Sequence, residues 1–414
     1  MHRLALTAAL LMPMVIDGAL ITEAATEQPQ VPDTQGKNSE IEELVANELE
    51  RLELEAHAAV KAGLLKKATK LAEQILALEE KSFGPNHPYT ANTINYLSFL
   101  YYELGDYEKS ESLNLRSLDI REEVLGLEHP DTATSIYDLA YLYVNTGKLA
   151  KAEPLLRRAL VIREKVLGLD HLDTGRSLYG LAKLYEGRGL YSKAESLYLR
   201  ALSIEEKNMG AKNVWPHTLQ SLADCYIELG FYEKAESLSL RALANAKDKF
   251  GEEHQFIALV LSSLAEVYDN QGLYGKAGLF HIHALTMAEK VLGPRHLSVG
   301  GYLSSLASHY MNRGFYLNAE PLYWRALAIA EQILGPESRP YGTSLNKLAM
   351  LYNDQGLYSK AGPLVRRGRD IELMRIQRES PYLALSERLP FLQSLGAAHE
   401  FTFSGASRGS SGAK

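Results

Sequence analysis

The chain has 414 residues, 51 acidic and 44 basic side chains, a net charge of -7 and a single cysteine. Both signs of charge are interspersed, which argues against a nucleic-acid ligand, since that would need a basic face to neutralise phosphates. The lone Cys225 excludes an internal disulfide framework. Set beside Ala223 and Tyr226 in a helical pattern, it reads as a small buried residue.

At the N-terminus, Arg3 precedes an apolar run, Leu4 to Met12, which resumes after Pro13 and reaches Ile21. Ala24 and Ala25 come next. A charged start, an apolar core and a small-residue exit predict a signal peptide over residues 1–25 and export to the periplasm or beyond, with a cytoplasmic location as the alternative. Pro13 and Asp17 argue against a stable membrane span. Residues 26–39, rich in Pro, Gln and Thr, are expected to be a disordered linker. Ile41 to Ala59 is rich in Glu and reads as a polar cap on the segment C-terminal to it.

From there one register runs through the chain. Gly63, Gly105, Gly147, Gly189, Gly230, Gly272, Gly314 and Gly356 are each followed two residues later by an aromatic residue or Leu. Their spacing is 42 at every step but one, which is 41. Gly84, Gly126, Gly168, Gly210, Gly251, Gly293 and Gly335 run half a unit out of phase. Self-similarity at such a period predicts a repeat array, one elongated object. In the unit from Thr174 to Met209, Leu178, Leu181, Ala182 and Tyr185 share one helical face. Gly189 ends that helix, and a second carries Ala194, Leu197, Tyr198, Ala201 and Leu202 to a stop at Gly210. Each unit is thus predicted as a short helix, a tight turn, a longer helix and a loop. Ala182, Ala194 and Ala201 let the helices approach, and Leu181, Tyr185 and Tyr198 fill the remaining space.

The string Leu181-Ala182, Tyr185, Gly189, Tyr191, Ala194, Tyr198, Ala201-Leu202 resembles the tetratricopeptide repeat. The 42-residue period and the linker Leu125-Gly126-Leu127-Glu128-His129-Pro130-Asp131-Thr132 resemble its kinesin-light-chain type. The resemblance covers about residues 40 to 378 and implies an all-α, right-handed α-solenoid of seven to eight repeats, the first a degenerate cap. Departures are Leu149 for the Tyr after Gly147, Asn213-Val214-Trp215-Pro216 for the His-Pro entry, and Glu55 and Ala59 in the first unit.

Little in the chain suggests catalysis. The recurrent Tyr101, Tyr143, Tyr185, Tyr226, Tyr268, Tyr310 and Tyr352 read as core. His87, His129, His171, His254 and His296 each follow a linker Gly by three residues and read as loop and helix-start residues, one repeat apart and unable to share a metal. His281 and His283 at i, i+2 on one helix point apart. Gly405-Ala406-Ser407-Arg408-Gly409 matches a nucleophile-elbow string but lies in a Gly/Ser tail over 404–414. No catalytic, cofactor or metal site is predicted.

The resemblance places the first helix of each unit on a concave face. Its groove positions become Asn95, Phe99, Tyr102, Tyr137, Tyr141, Asn145, Tyr179, Lys183, Glu186, Gln220, Asp224, Glu228, Glu266, Asp269, Asn270, Asn312, Asn346 and Asn353. This face is aromatic first, acidic in the middle and Asn-rich last. Clustered aromatics mark an interaction site, Asn side chains can clamp an extended backbone, and acidic residues favour a partner bearing Lys or Arg. A helical extension is expected over 379–403. Within it, Ser386-Glu387-Arg388-Leu389-Pro390-Phe391-Leu392 is similar to the segment that joins such arrays to caspase-like CHAT peptidase domains, and implies at most a repeat-only or truncated relative. The expected function is a non-catalytic scaffold binding a protein or peptide, preferably basic. The alternatives are the sensor part of a CHAT-type system and a light-chain-like cargo adaptor.

Overall fold

A computed structural model of the chain describes residues 39–379, sixteen helices with no strand among the described residues. The predicted signal peptide, the linker to residue 38, the extension past 379 and the Ser407 string lie outside the described residues. The chain divides into two compact units, residues 1–245 and 246–414. In unit 1 the helices are α1 (Ser39–Lys61), α2 (Leu65–Phe83), α3 (Pro88–Glu103), α4 (Tyr107–Val124), α5 (Pro130–Asn145), α6 (Leu149–Val166), α7 (Leu172–Gly187), α8 (Tyr191–Met209) and α9 (Pro216–Glu228). The division falls inside α10 (Tyr232–Phe250). Unit 2 continues with α11 (Gln255–Asn270), α12 (Tyr274–Leu292), α13 (Leu297–Asn312), α14 (Tyr316–Leu334), α15 (Arg339–Asp354) and α16 (Tyr358–Glu379).

Within each unit the helices pack in chain order. An odd-numbered first helix pairs with the even-numbered second helix after it, and successive first helices also touch. The period is legible in the packing. In α7 and α8, Leu178, Ala182, Ala194, Tyr198 and Ala201 are fully buried. Burying a side chain the size of Leu178 contributes about 1.5–3 kcal/mol, and the three alanines leave room for Tyr198. The first helix has 16 residues and the second 19, the short-then-long alternation expected.

Both Gly series adopt positive φ. At Gly189 (φ +70°) the chain leaves α7 through a left-handed residue, and the Leu190 N–H reaches back to the Tyr185 carbonyl at 2.8 Å. That back-bond satisfies a carbonyl the helix end would orphan. Gly210 (φ +79°) closes α8 with its own N–H, which donates to the Glu206 carbonyl.

The His ladder caps helices. His87, His129, His171, His254 and His296 each precede a first helix, and each side chain accepts the N–H two residues on. The linker Thr completes the turn, as where Thr174 Oγ1 donates to the Gly168 carbonyl at 2.8 Å. The single 41-residue step coincides with the variant linker before α9. There Trp215 is the cap residue without a capping side chain, and the Glu205 carboxylate takes its N–H at 3.0 Å. Cys225 is buried on α9, and burial pushes its thiol up to about 11.

The first helix differs from the polar cap expected. Leu49, Leu52, Ala56, Ala59 and Val60 of α1 enter a core with Ile75, Leu97 and Leu100. Glu53 is buried with them. The Glu-rich run therefore presents only part of its charge to water, because one helical face must still seal the next repeat.

Candidate peptide-binding face

In unit 1 the predicted aromatic positions lie together. The Tyr102 ring is 5.7 Å from Tyr107 and 6.0 Å from Tyr141, and Tyr141 stacks on Tyr137 at 6.5 Å. Such offset and edge-on pairs add to what area burial alone contributes. The rings are less exposed than expected. Tyr102, Tyr141 and Phe99 are half-buried, because the rings cover one another and Phe99 leans on the core under α1 and α2. Tyr107 was missed by sequence reasoning. It sits in the Gly-x-Tyr turn slot after Gly105, which reads as a turn residue until its neighbour across the turn is known.

Three predicted positions do not face solvent. Asn95 is buried, and its Nδ2 donates to Asp138 Oδ2 at 3.0 Å and Ser135 Oγ at 3.3 Å. Tyr137 is buried with the Arg163 and Arg176 guanidinium groups over its ring, 5.3 and 5.8 Å from its centre. Gln220 is buried, and its Nε2 donates to Asp224 Oδ1 at 2.7 Å. Asn95 and Tyr137 serve the joint between helices and Gln220 bonds within α9, so the aromatic surface narrows to Tyr102, Tyr107 and Tyr141, with Asn145 exposed beside them on α5.

The acidic stretch is partly satisfied within unit 1. Lys183 Nζ lies 2.8 Å from Glu186 Oε1, and the Tyr198 hydroxyl donates to the other Glu186 oxygen. Burial would lower the Lys183 ammonium, but Tyr179, Glu186 and Asp224 outweigh it and raise it above the ordinary lysine range. The Tyr179 hydroxyl meets Ser221 Oγ at 3.2 Å. Glu228 is exposed at the end of α9.

In unit 2, Glu266, Asn270, Asn312, Asn346 and Asn353 are exposed. Asn270 donates to the Glu266 carbonyl at 2.9 Å, as Asn145 does to Tyr141 at 3.0 Å in unit 1. Part of the Asn series therefore bonds its own helix. Asp269 turns away from the pattern, since its carboxylate bridges His281 and His309. His309 carried a signal that went unread. Its slot holds Leu100, Leu142, Leu184, Cys225, Val267 and Leu351 in the other repeats.

No curated protein matches this sequence. The tetratricopeptide repeat family matches residues 51–123, 92–160, 131–207, 217–290 and 298–371. Among solved structures, the apo form of the quorum sensor NprR from B. thuringiensis is 14% identical, with 80% of this chain and 88% of that one covered at a TM-score of 0.58. A Rap protein complexed with Competence and Sporulation Factor is 15% identical, with 83% and 89% covered at 0.57. The near-identical repeats of a putative kinesin light chain from P. anserina are 24% identical, with 49% of this chain and 97% of that one covered at 0.42. With the family's repeat matched over more than half of its length, the chain belongs to the tetratricopeptide repeat family, here with a 42-residue period.

Proposed function

We propose that the protein is a non-catalytic scaffold that binds a peptide or protein segment on the faces of its first helices. The observation that carries this reading is the group Tyr102, Tyr107 and Tyr141, with the Tyr102 ring against each of the other two and all three still reaching solvent. A solenoid core does not need them there, and partly exposed aromatics are the usual anchors of an interface. The Rap protein that shares the fold was solved with a bound factor, which is in keeping with the reading. Asp224, Glu228 and Glu266 favour a segment bearing Lys or Arg. Export is proposed from residues 1–25, and N-terminal sequencing of the mature protein from its host tests it.

The binding reading is tested by selecting a displayed random-peptide library on the purified chain. Basic peptides should be enriched, and Tyr102→Ala or Tyr141→Ala should weaken them about tenfold or more. Asp224→Lys, Glu228→Lys and Glu266→Lys together should remove the basic preference with helix content unchanged. Enrichment of acidic peptides, or affinities indifferent to both tyrosines, would refute it.

A further inference from the structure

The geometry points to a metal site in unit 2, formed by Asp269 of α11, His281 of α12 and His309 of α13, that takes a divalent transition ion of the zinc class. His281 Nε2 lies 3.0 Å from Asp269 Oδ2, and His309 Nδ1 lies 2.7 Å from Asp269 Oδ1. The three donor atoms all fall within 4.8 Å of one another. Two imidazoles and a carboxylate are the donor set that zinc accepts, at about 2.0–2.2 Å each, which puts neighbouring donors about 3.3 Å apart in a tetrahedron. The two imidazole–carboxylate contacts need to open by about 0.3 and 0.6 Å, and the imidazole pair must settle to the same spacing.

The repeat adds independent support, because the other repeats of the same chain show what each slot ordinarily holds. His309 stands where the other full repeats place Leu, Val or Cys, all buried core, and only the first repeat differs, with the exposed Ala58. His281 stands where other repeats place the buried residues Asn114, Leu156, Tyr198, Ser239 and Tyr323. Both histidine side chains are only 5–6% exposed. A third change makes room for them. Gly278 occupies a slot that holds Glu111, Glu153, Glu195, Glu236 or Glu320 in five repeats, Thr69 in the first and Gly362 in the last, and a Cβ there would lie 3.1 Å from His309 Nε2. Replacing apolar core by imidazole in a packed repeat costs stability unless the ring nitrogens gain partners. An ion shared by the three helices supplies such partners. Asp269 is 28% exposed, so solvent can reach the cluster and provide a fourth ligand.

Full-length protein, stripped with a chelator and dialysed against Zn2+, should retain one equivalent with a Kd of about 1 μM or tighter by calorimetry. His309→Leu and His281→Tyr restore the residues of other repeats, so both should keep the fold and weaken zinc by more than about tenfold. His283→Ala, which removes the exposed neighbour on α12, should leave that equivalent in place. A stripped protein that retains no zinc, or one whose zinc is indifferent to both ligand substitutions, overturns the site. Should the ligand variants fail to fold, X-ray absorption of the zinc-loaded wild type decides. Two imidazoles in the coordination shell support the assignment, and a shell without imidazole refutes it.

Discussion

Near the end of each second helix one position separates the two units. In unit 1 it holds Glu79, Arg121, Arg163 and Glu205, all buried. In the same register the chain then has Ala246, Ala288 and Ala330, also buried, before the half-buried Glu372 of the last repeat. Unit 1 joins its repeats there with polar groups. Arg163 donates to the Asp173 carbonyl at 3.2 Å and Ser177 Oγ at 2.9 Å on α7, and to Thr134 Oγ1 at 3.1 Å on α5. Arg121 reaches Asn92 on α3, and the Asp131 carbonyl and Ser135 on α5, in the same way. Each guanidinium thus ties the first helix of its own repeat to that of the next. Except at Glu372 in its last repeat, unit 2 fills the slot with a methyl group and relies on apolar packing around Val299, Leu303 and Ile329. The same fold is held by directional bonds in one unit and by close packing in the other.

The largest expected effect comes from removing that guanidinium. Arg163→Ala strands the Ser177 and Thr134 hydroxyls and leaves Asp138 without one of the cations that offset its burial. Unit 1 should lose about 3–5 kcal/mol in urea unfolding. A loss under about 1 kcal/mol would mean that packing alone holds unit 1 as it does unit 2.

A smaller effect lies above the Tyr137 ring. A Cβ on Gly180 would sit 2.7 Å from Tyr137 Cε2 and 3.0 Å from Leu156 Cδ2. Gly180→Ala should therefore cost about 1–3 kcal/mol by overpacking, despite the better helix propensity of Ala. The corresponding unit 2 residue is Ser305, and Ser305→Ala should stay within about 0.5 kcal/mol. Equal effects would erase the distinction between the units at this slot.

The buried acids make unit 1 sensitive to pH in a definite direction. Burial, with Glu79 and Glu50 close by, pushes the Glu53 carboxyl up to about 8. Burial also pushes Glu79 up to about 8, with the nearby Glu80 adding to the rise. A carboxyl whose folded pKa is raised binds more protons folded than unfolded. Its contribution is full below about pH 4.5 and is lost as pH rises towards about 8. Unit 1 should lose roughly 1–2 kcal/mol across that window, and Glu79→Gln should flatten the change. Denaturation midpoints taken at pH 5 and pH 8 read it directly, and a wild type that gains stability on going to pH 8 would contradict the burial.

The repeat was legible because Gly, Ala and Tyr recur in phase, and each has a conformational or packing reason to sit where it does. Arg163 and Glu79 were not, because a charge reads as solvated until its partners are located, and those lie on other helices. Arg121 with Ser135 and Arg163 with Ser177, each pair fourteen residues apart, carried that information. The binding face divides similarly. Tyr102 and Tyr141 were placed by carrying the family's groove positions onto the repeat register. Asn95 and Gln220 could not, since hydrogen bonds to Asp138 and Asp224 decide their burial. His309 escaped because it was read with its sequence neighbours instead of beside Leu142 and Leu184.

The smallest expected effect is one the two units share. Lys165 pairs with Glu128 at 2.5 Å in unit 1, and Lys290 with Glu253 at 2.6 Å in unit 2, both linking a second helix to the linker before it. All four side chains are more than half exposed. Water and salt screen such pairs, and holding two long side chains costs entropy, so each is worth about 0–1 kcal/mol. Lys165→Ala and Lys290→Ala should then shift stability by the same small amount, about 0.5 kcal/mol or less, and less again at high salt. If Lys165→Ala proved several times costlier than Lys290→Ala, the advantage of unit 1 in directional bonds would extend to its surface, and the buried arginines would no longer account for the difference alone.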